Sequence, residues 1–399
     1  MMRQMVALLA ASVAAVVSVG AQKGAAPTIV LDKGATEFAD PFSQLTQLVE
    51  LRDRRVLAVD LKEKELRVAD FASGNMSPVS RAGGGPLEYQ VPGILLRGAA
   101  DTAVYWDAMQ RRLLLVSPAG APVQTVPLGG TDPAAALSQM QPLWVDAAGL
   151  VYGQTIGLTM PAAGAAPTPA FADSVDIQLR DPRTGRIEAL ARVRSTMSQA
   201  KPKMEMGPQG VRMTMVAPDF RPTDAWTVLP NGRIAILRDG VYRVRFMSRG
   251  GAEVAGPTIP YTPVAVTVAE RRAVVDSVRS AVDRSLAATR AMAAQAAGGR
   301  GMKIEVEVTE PASWPAAKPA YAGIQASPDG RLWVSMHMSA GTKYARYDVL
   351  DGSGALIAHV QLAPGESLVG LGRGTVYTVR TDSDDLQYLR RYTLPTPIG

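Results

Sequence analysis

One short pattern recurs six times along this 399-residue chain: a turn, often with Gly, then a run of β-branched and aromatic residues. It reads RDRRVLAVD at 52–60, AADTAVYWD at 99–107, DAAGLVYGQ at 146–154, LPNGRIAIL at 229–237, SPDGRLWVS at 327–335 and LGRGTVYTV at 371–379. The equivalent apolar positions are Val56, Val104, Val151, Ile234, Leu332 and Val376, spaced by 48, 47, 83, 98 and 44 residues. Three of these intervals fit a repeat of about 40–50 residues, the length of one four-stranded propeller unit. The two long intervals predict insertions. Each unit continues into a second strand and a polar or Gly turn, such as LRVADFASG (66–74) or YARYDVLDGSG (344–354). In five of them a further strand follows, as in APVQTVPL (121–128) and ALIAHVQL (355–362).

The expected fold is therefore all-β: a six-bladed β-propeller with an inserted amphipathic helix and an inserted Met-rich hairpin. The blades are expected near 45–80, 94–128, 141–193, 224–258, 321–362 and 367–395, with insertions at about 195–220 and 263–320. The sixth unit has no last strand of its own, and PTIVLD (27–32) is the segment expected to supply it. Closing the ring removes the unpaired edges that an open antiparallel sheet exposes.

RAGGGPLEYQVPG (81–93) resembles the G-x-G-x-G-P-G-E-F…P segment of bacterial secreted six-bladed propellers related to NHL-repeat proteins. Gly83, Gly85, Pro86, Glu88 and Tyr89 carry the match, with Leu87 and Tyr89 standing where the family has Gly and Phe. The Trp226 segment and PAYAGIQASPDGRLWV (319–334) are similar as well. The resemblance implies a propeller in the cell envelope, and leaves the activity open because many functions share this fold.

The address agrees. Residues 1–21, MMRQMVALLAASVAAVVSVGA, have a basic start and an uncharged run from Met5 to Ala21, with small Val19 and Ala21 at the −3 and −1 positions of a cleavage site. This is the pattern of a secretory signal peptide removed after Ala21, leaving 22–399 without a membrane span in the periplasm or outside the cell. Arg and Lys form no run longer than two residues, so the clustered basic footprint of a nucleic-acid binder is missing.

The insertions differ in character. TVAERRAVVDSVRSAVDRSLAATRAMAAQAAGG (267–299) is a helix pattern, with Thr267 and Glu270 as a capping box, an i, i+4 stripe of Val274, Val278, Val282 and Leu286, and a Gly298-Gly299 stop. Its expected role is to pack on the propeller, with a membrane surface or a partner as alternatives. MKIEVEV (302–308) alternates like a strand. SQAKPKMEMGPQGVRMTMVAP (198–218) places Met204 and Met206, and Met213 and Met215, on either side of a GPQG turn. Pairing 204 with 215 and 206 with 213 brings four thioethers to one face. Such a face fits packing against the body, a sticky partner surface, or Cu(I), which soft thioether ligands select.

Chemistry is sparse. The chain has no Cys and two His, His337 and His359, which excludes disulfides and Zn sites built from three or four Cys and His. GGGP (83–86) lacks the GK[ST] ending of a phosphate loop, so its glycines read as a tight turn with Glu88 accepting loop N–H bonds. Asp382, Asp384 and Asp385 read as a solvated turn, and Asp60, Asp70, Asp107 and Asp348 fall near strand ends. No Ser or carboxylate partner is set beside either His by local spacing. The sequence thus assigns no catalytic residue and no cofactor. It favours a binding or scaffold module whose partner is a protein or envelope component. The alternatives are a carboxylate-metal hydrolase or lyase at the channel mouth, and Cu(I) binding by Met204, Met206, Met213 and Met215.

Overall fold

The computed structural model describes residues 26–90, 93–99, 102–128, 140–159, 170–195, 203–207, 210–296 and 304–395. Residues 1–21, expected to be a signal peptide, and Gly298-Gly299 lie outside them. Among the described residues the fold is an all-β propeller with one helix. Its basic unit is an antiparallel meander in which each strand pairs with the next. The first is Leu45–Glu50, Val56–Asp60, Glu65–Ala69 and Met76–Pro78. Another is Ala225–Val228, Ile234–Leu237, Val244–Met247 and Val254–Ala255. The meanders beginning at Ile94–Gly98 and Met140–Val145 are fused into one eight-stranded sheet, because Trp144 and Val145 pair in parallel with Arg97 and Gly98. Six units in sequence thus appear as four separate sheets of four or five strands and one double sheet.

The first strands lie innermost and, from Leu45–Glu50 to Tyr321–Ala326, side by side in chain order. Glu366–Leu371 returns to lie beside Leu45–Glu50 and closes the ring. The second strands are buried on both faces, so their side chains serve two cores. Leu57 and Val59 pack toward Leu95, Tyr105 and Leu114, whereas Val56 and Ala58 pack toward Tyr377, Val379 and Leu389. That explains why these segments read as continuous apolar runs rather than strict alternation. Between strands, Gly232 and Gly330 turn the chain at φ 79° and 83°, a left-handed conformation that a Cβ disfavours.

The ring closes differently from the expectation. Thr28–Leu31 does not complete the last meander. It pairs in parallel with Leu356–Leu362 as a fifth strand, with Ile29 and Leu31 packed among Val360, Leu362 and Trp333. The closing strand is the two-residue Thr36–Glu37, antiparallel to Gln387–Thr393. Its short reach is reinforced by charge: Glu37 takes Arg390 at 2.6 Å and Arg380 at 3.0 Å, and Arg380 foremost holds its carboxyl below the ordinary range.

The two insertions, separate in sequence, form one structure. Lys203–Gly207 and Gly210–Val216 make the hairpin, and Ile304–Thr309 joins it in parallel. Met204 stands opposite Met213 and Met206 opposite Val211, a register two residues tighter than the expected 204–215 pairing, because pairing runs on to Gly207 and Gly210. The helix Val268–Ala296 lies on this sheet through Val274, Val275, Val278 and Val282. No helix among the described residues is long and apolar enough to cross a membrane.

Candidate functional site

The side chains with most chemical capacity gather beside the meander 321–362, in a cleft of about 420 Å³. Strand alternation puts Arg346 and Asp348 on one face of Arg346–Leu350. The neighbouring strand brings His359 directly opposite Asp348, so their side chains meet. Asp348 Oδ1 lies 2.6 Å from His359 Nδ1, and Tyr242 donates its hydroxyl to Asp348 Oδ2 at 2.8 Å. Arg346 Nη2 sits 3.4 Å from the same carboxylate and 2.9 Å from His359 Nδ1. A nitrogen 2.6 Å from a carboxylate oxygen needs a proton between them. We assign that proton to Nδ1, which then cannot accept from Arg346 Nη2, so that 2.9 Å approach is a contact and not a hydrogen bond. Tyr242 is buried, and burial together with the Asp348 charge pushes its hydroxyl far above the ordinary value, so it stays a donor.

His337 enters the same cleft from the loop that follows Leu332–Met336. Burial first, and the Lys318 cation second, push its imidazole down to about 4, so it is neutral at neutral pH. Its ring meets Phe220 edge-on at 5.9 Å. Behind this loop lies a buried ion pair, Lys318 Nζ to Glu270 Oε2 at 2.5 Å. Lys318 also donates to the Met338 carbonyl at 2.7 Å, and the Ala340 N–H donates to Glu270. Burial alone would raise the Glu270 carboxyl, but Lys318 and the Ala340 amide outweigh it and hold it below the ordinary range. The capping box is accordingly half formed. The Glu270 N–H bonds Thr267 Oγ1 at 3.3 Å, while the Glu270 side chain turns to the cleft wall.

The other residues singled out in the sequence stand elsewhere. Asp60 accepts the amides of Ser43 at 2.8 Å and Gln44 at 3.1 Å, and Asp107 that of Gln90 at 2.9 Å, so both shape turns. Asp70 accepts the Ala72 amide at 2.8 Å. Asp382 accepts those of Asp384 and Leu386, within an exposed turn. In the 81–89 loop, Glu88 Oε2 accepts the Gly85 N–H at 2.7 Å and Arg112 Nη2 binds the Gly85 carbonyl at 2.7 Å. A Cβ at Gly83 or Gly85 would strike the Glu88 carboxylate. Pro86 follows within the same turn, and Tyr89 is buried with its hydroxyl accepting the Leu66 N–H at 2.8 Å. Met213 and Met215 pair with Val306 and Val308, and Val308 packs on Val275, so the helix covers their face. Met204 and Met206 are placed by backbone register alone.

Two hollows lie between the innermost strands, of about 330 and 140 Å³. Ile94, Leu143, Ile324, Gln141 and Gln325 line them, with Arg97. Burial lowers the Arg97 guanidinium to about 10, and its Nη2 donates to the Leu371 carbonyl at 2.7 Å. Among the described lining residues Asp224 is the one acid, and it accepts the Arg194 amide at 2.9 Å. Among the described residues no three His, Cys, Asp or Glu side chains converge as metal ligands.

Sequence reasoning kept the two His apart and did not single out Tyr242 or Arg346. The missing signal was a bulge. A hairpin continued evenly from the Leu350–Leu356 pair would set Asp348 against Ala358. The register shift between Val349 and Leu350 moves His359 into that place.

No family model and no curated protein matches the chain. Solved structures resemble it at low identity. A gluconolactonase from Xanthomonas campestris is 12% identical, covering 90% of this chain and 92% of its own, with a TM-score of 0.42. Regucalcin, a calcium-binding protein from Agrobacterium tumefaciens, is 12% identical over 91% and 95%, with a TM-score of 0.37. Virginiamycin B lyase from Staphylococcus aureus is 9% identical over 91% and 99%, also at 0.37. Each is a distant likeness, and the propeller fold stands on the strand order and ring closure of this chain.

Proposed function

We propose that the chain is a six-bladed β-propeller binding module of the periplasm or cell exterior, and that the cleft holding His337, Asp348 and His359 is its ligand site. Counting the double sheet as two blades is supported by the cores. An apolar cluster fills each junction between consecutive meanders, including one between 94–128 and 140–194. The location follows the pattern of residues 1–21 and the resemblance of 81–93.

The observation that carries the binding role is the Asp348–His359–Tyr242 cluster. Asp348 and His359 face each other across paired strands and open onto a hollow, with Tyr242 buried behind them, whereas Asp60 and Asp107 hold the turns beside their own strands. A cleft of about 420 Å³ falls within the roughly 300–1,000 Å³ of small-molecule sites, which favours a small ligand over the protein partner that the sequence alone pointed to.

The test is thermal melting of the purified protein against a panel of small organic molecules, repeated on His359→Ala. A compound binding the native state at 100 times its Kd adds about 2.7 kcal/mol. Binders should stabilise the wild type and lose most of that effect in the variant. Binders that stabilise both proteins equally would place the site elsewhere.

A further inference from the structure

Resting on the cleft as ligand site, the geometry points to one chemical class of ligand: a small organic monoanion, a carboxylate on an apolar body. We infer this from the charges the cleft presents. Asp348 is 2% exposed and already accepts from Tyr242, His359 and Arg346, so its negative charge is spent within the protein. His337 is held neutral by burial. The Lys318 cation is answered by Glu270 behind the loop.

That leaves Arg346. Its side chain is 38% exposed, and its hydrogen bond runs from Nη2 to Asp348 at 3.4 Å, because the protonated Nδ1 of His359 beside it cannot accept. Its Nε is buried without an acceptor. The guanidinium is thus braced at Nη2, and the exposed part of its fork, not the buried Nε, is what a planar carboxylate can reach. Arg346 is the one Arg or Lys of the lining and is already partnered by Asp348 at 3.4 Å, so its exposed fork suits a singly charged planar carboxylate. A phosphate dianion would need a second cation that the described lining does not supply.

The rest of the ligand meets a different surface. Pro260, Tyr261, Met336, Met338 and Leu356 give the cleft apolar walls, and the two thioether side chains adapt to shape. The ligand therefore carries an aromatic or branched aliphatic body behind its carboxylate.

Calorimetry with phenylacetate, phenylacetamide, phenyl phosphate and phenethylamine tests this on the wild type, Arg346→Gln, Arg346→Lys and the cleft-filling Leu356→Trp. Phenylacetate should bind the wild type at least 10-fold tighter than the amide and the other two probes. Arg346→Gln should bring carboxylate and amide to equal affinity, and Arg346→Lys should keep part of the preference. Equal wild-type binding of carboxylate and amide, or tighter binding of the phosphate or the amine, overturns the anion assignment. If such binding is lost in Leu356→Trp, the cleft stands as the site. No binding by any probe also overturns the assignment. Binding unaffected by Leu356→Trp removes the cleft reading as well.

Discussion

The hollows between the innermost strands and the lateral cleft are built from similar residue types put to different uses. Around the hollows the charged groups hold the backbone: Arg97 binds the Leu371 carbonyl and Asp224 binds the Arg194 amide. In the cleft side chains bind side chains, with Tyr242, Asp348, His359 and Arg346 drawn from three strand regions onto one face. A group whose bonds maintain a turn is consumed by folding. A group held by other side chains at the edge of a hollow is oriented and still open on one side. The place to look for function in this ring is therefore its flank, where the inserted helix meets the 321–362 meander.

The sharpest way to break the comparison is at the cleft wall. Lys318→Met leaves Glu270 charged and buried, and should cost about 3–5 kcal/mol in chemical denaturation. The double variant Glu270→Leu with Lys318→Met should recover much of that loss, since an apolar pair replaces a desolvated ionic one. Equal losses in single and double variants would show that the pair's charge is not what matters.

The next effect is acid sensitivity. His337 titrates near 4 in the folded chain against 6.5 unfolded. As pH falls from about 6.5 toward 4, the unfolded chain takes up a proton that the folded chain refuses. Stability therefore falls with acid, by up to about 3 kcal/mol. His337→Gln should flatten that part of the stability–pH curve, and an unchanged slope would mean that His337 is not desolvated.

Two milder substitutions set cleft against hollow directly. Tyr242→Phe removes a hydrogen bond to a buried carboxylate and should cost about 1.5–3 kcal/mol. It should also weaken small-ligand binding. Arg97→Gln should cost about 1 kcal/mol through the Leu371 carbonyl and leave ligand binding unchanged. The reverse pattern of binding would move the site into the ring centre. Smallest of all, Arg54 holds φ 68° in a turn where other repeats use Gly. Arg54→Gly should be neutral to stabilising by about 1 kcal/mol, read as a rise in melting temperature.

The repeats were legible in sequence because the second strand of each meander, Val56–Asp60 for instance, is buried on both faces and carries a run of apolar residues. The helix was legible because its valine stripe recurs every four residues. The site was not, for reasons of geometry. A one-residue bulge decides whether Asp348 faces His359 or Ala358, and composition does not encode it. Pairing of Gly210–Val216 with Ile304–Thr309 joins segments about ninety residues apart, and local periodicity carries no trace of such a partner. The ring's closure by Thr36–Glu37 rests on two residues and an Arg pair, too short a signal to outweigh the apolar PTIVLD beside it.

If the cleft is the ligand site, the chain carries its own direct probe of it. Its two histidines both line that cleft, so imidazole NMR reports on it without labelling any other site. The measurement is the pair of imidazole spectra, with and without a compound that raises the melting temperature. Both His337 and His359 should shift on saturation, with the His359 proton on Nδ1 before ligand is added. A stabilising compound that leaves both rings unmoved would contradict it.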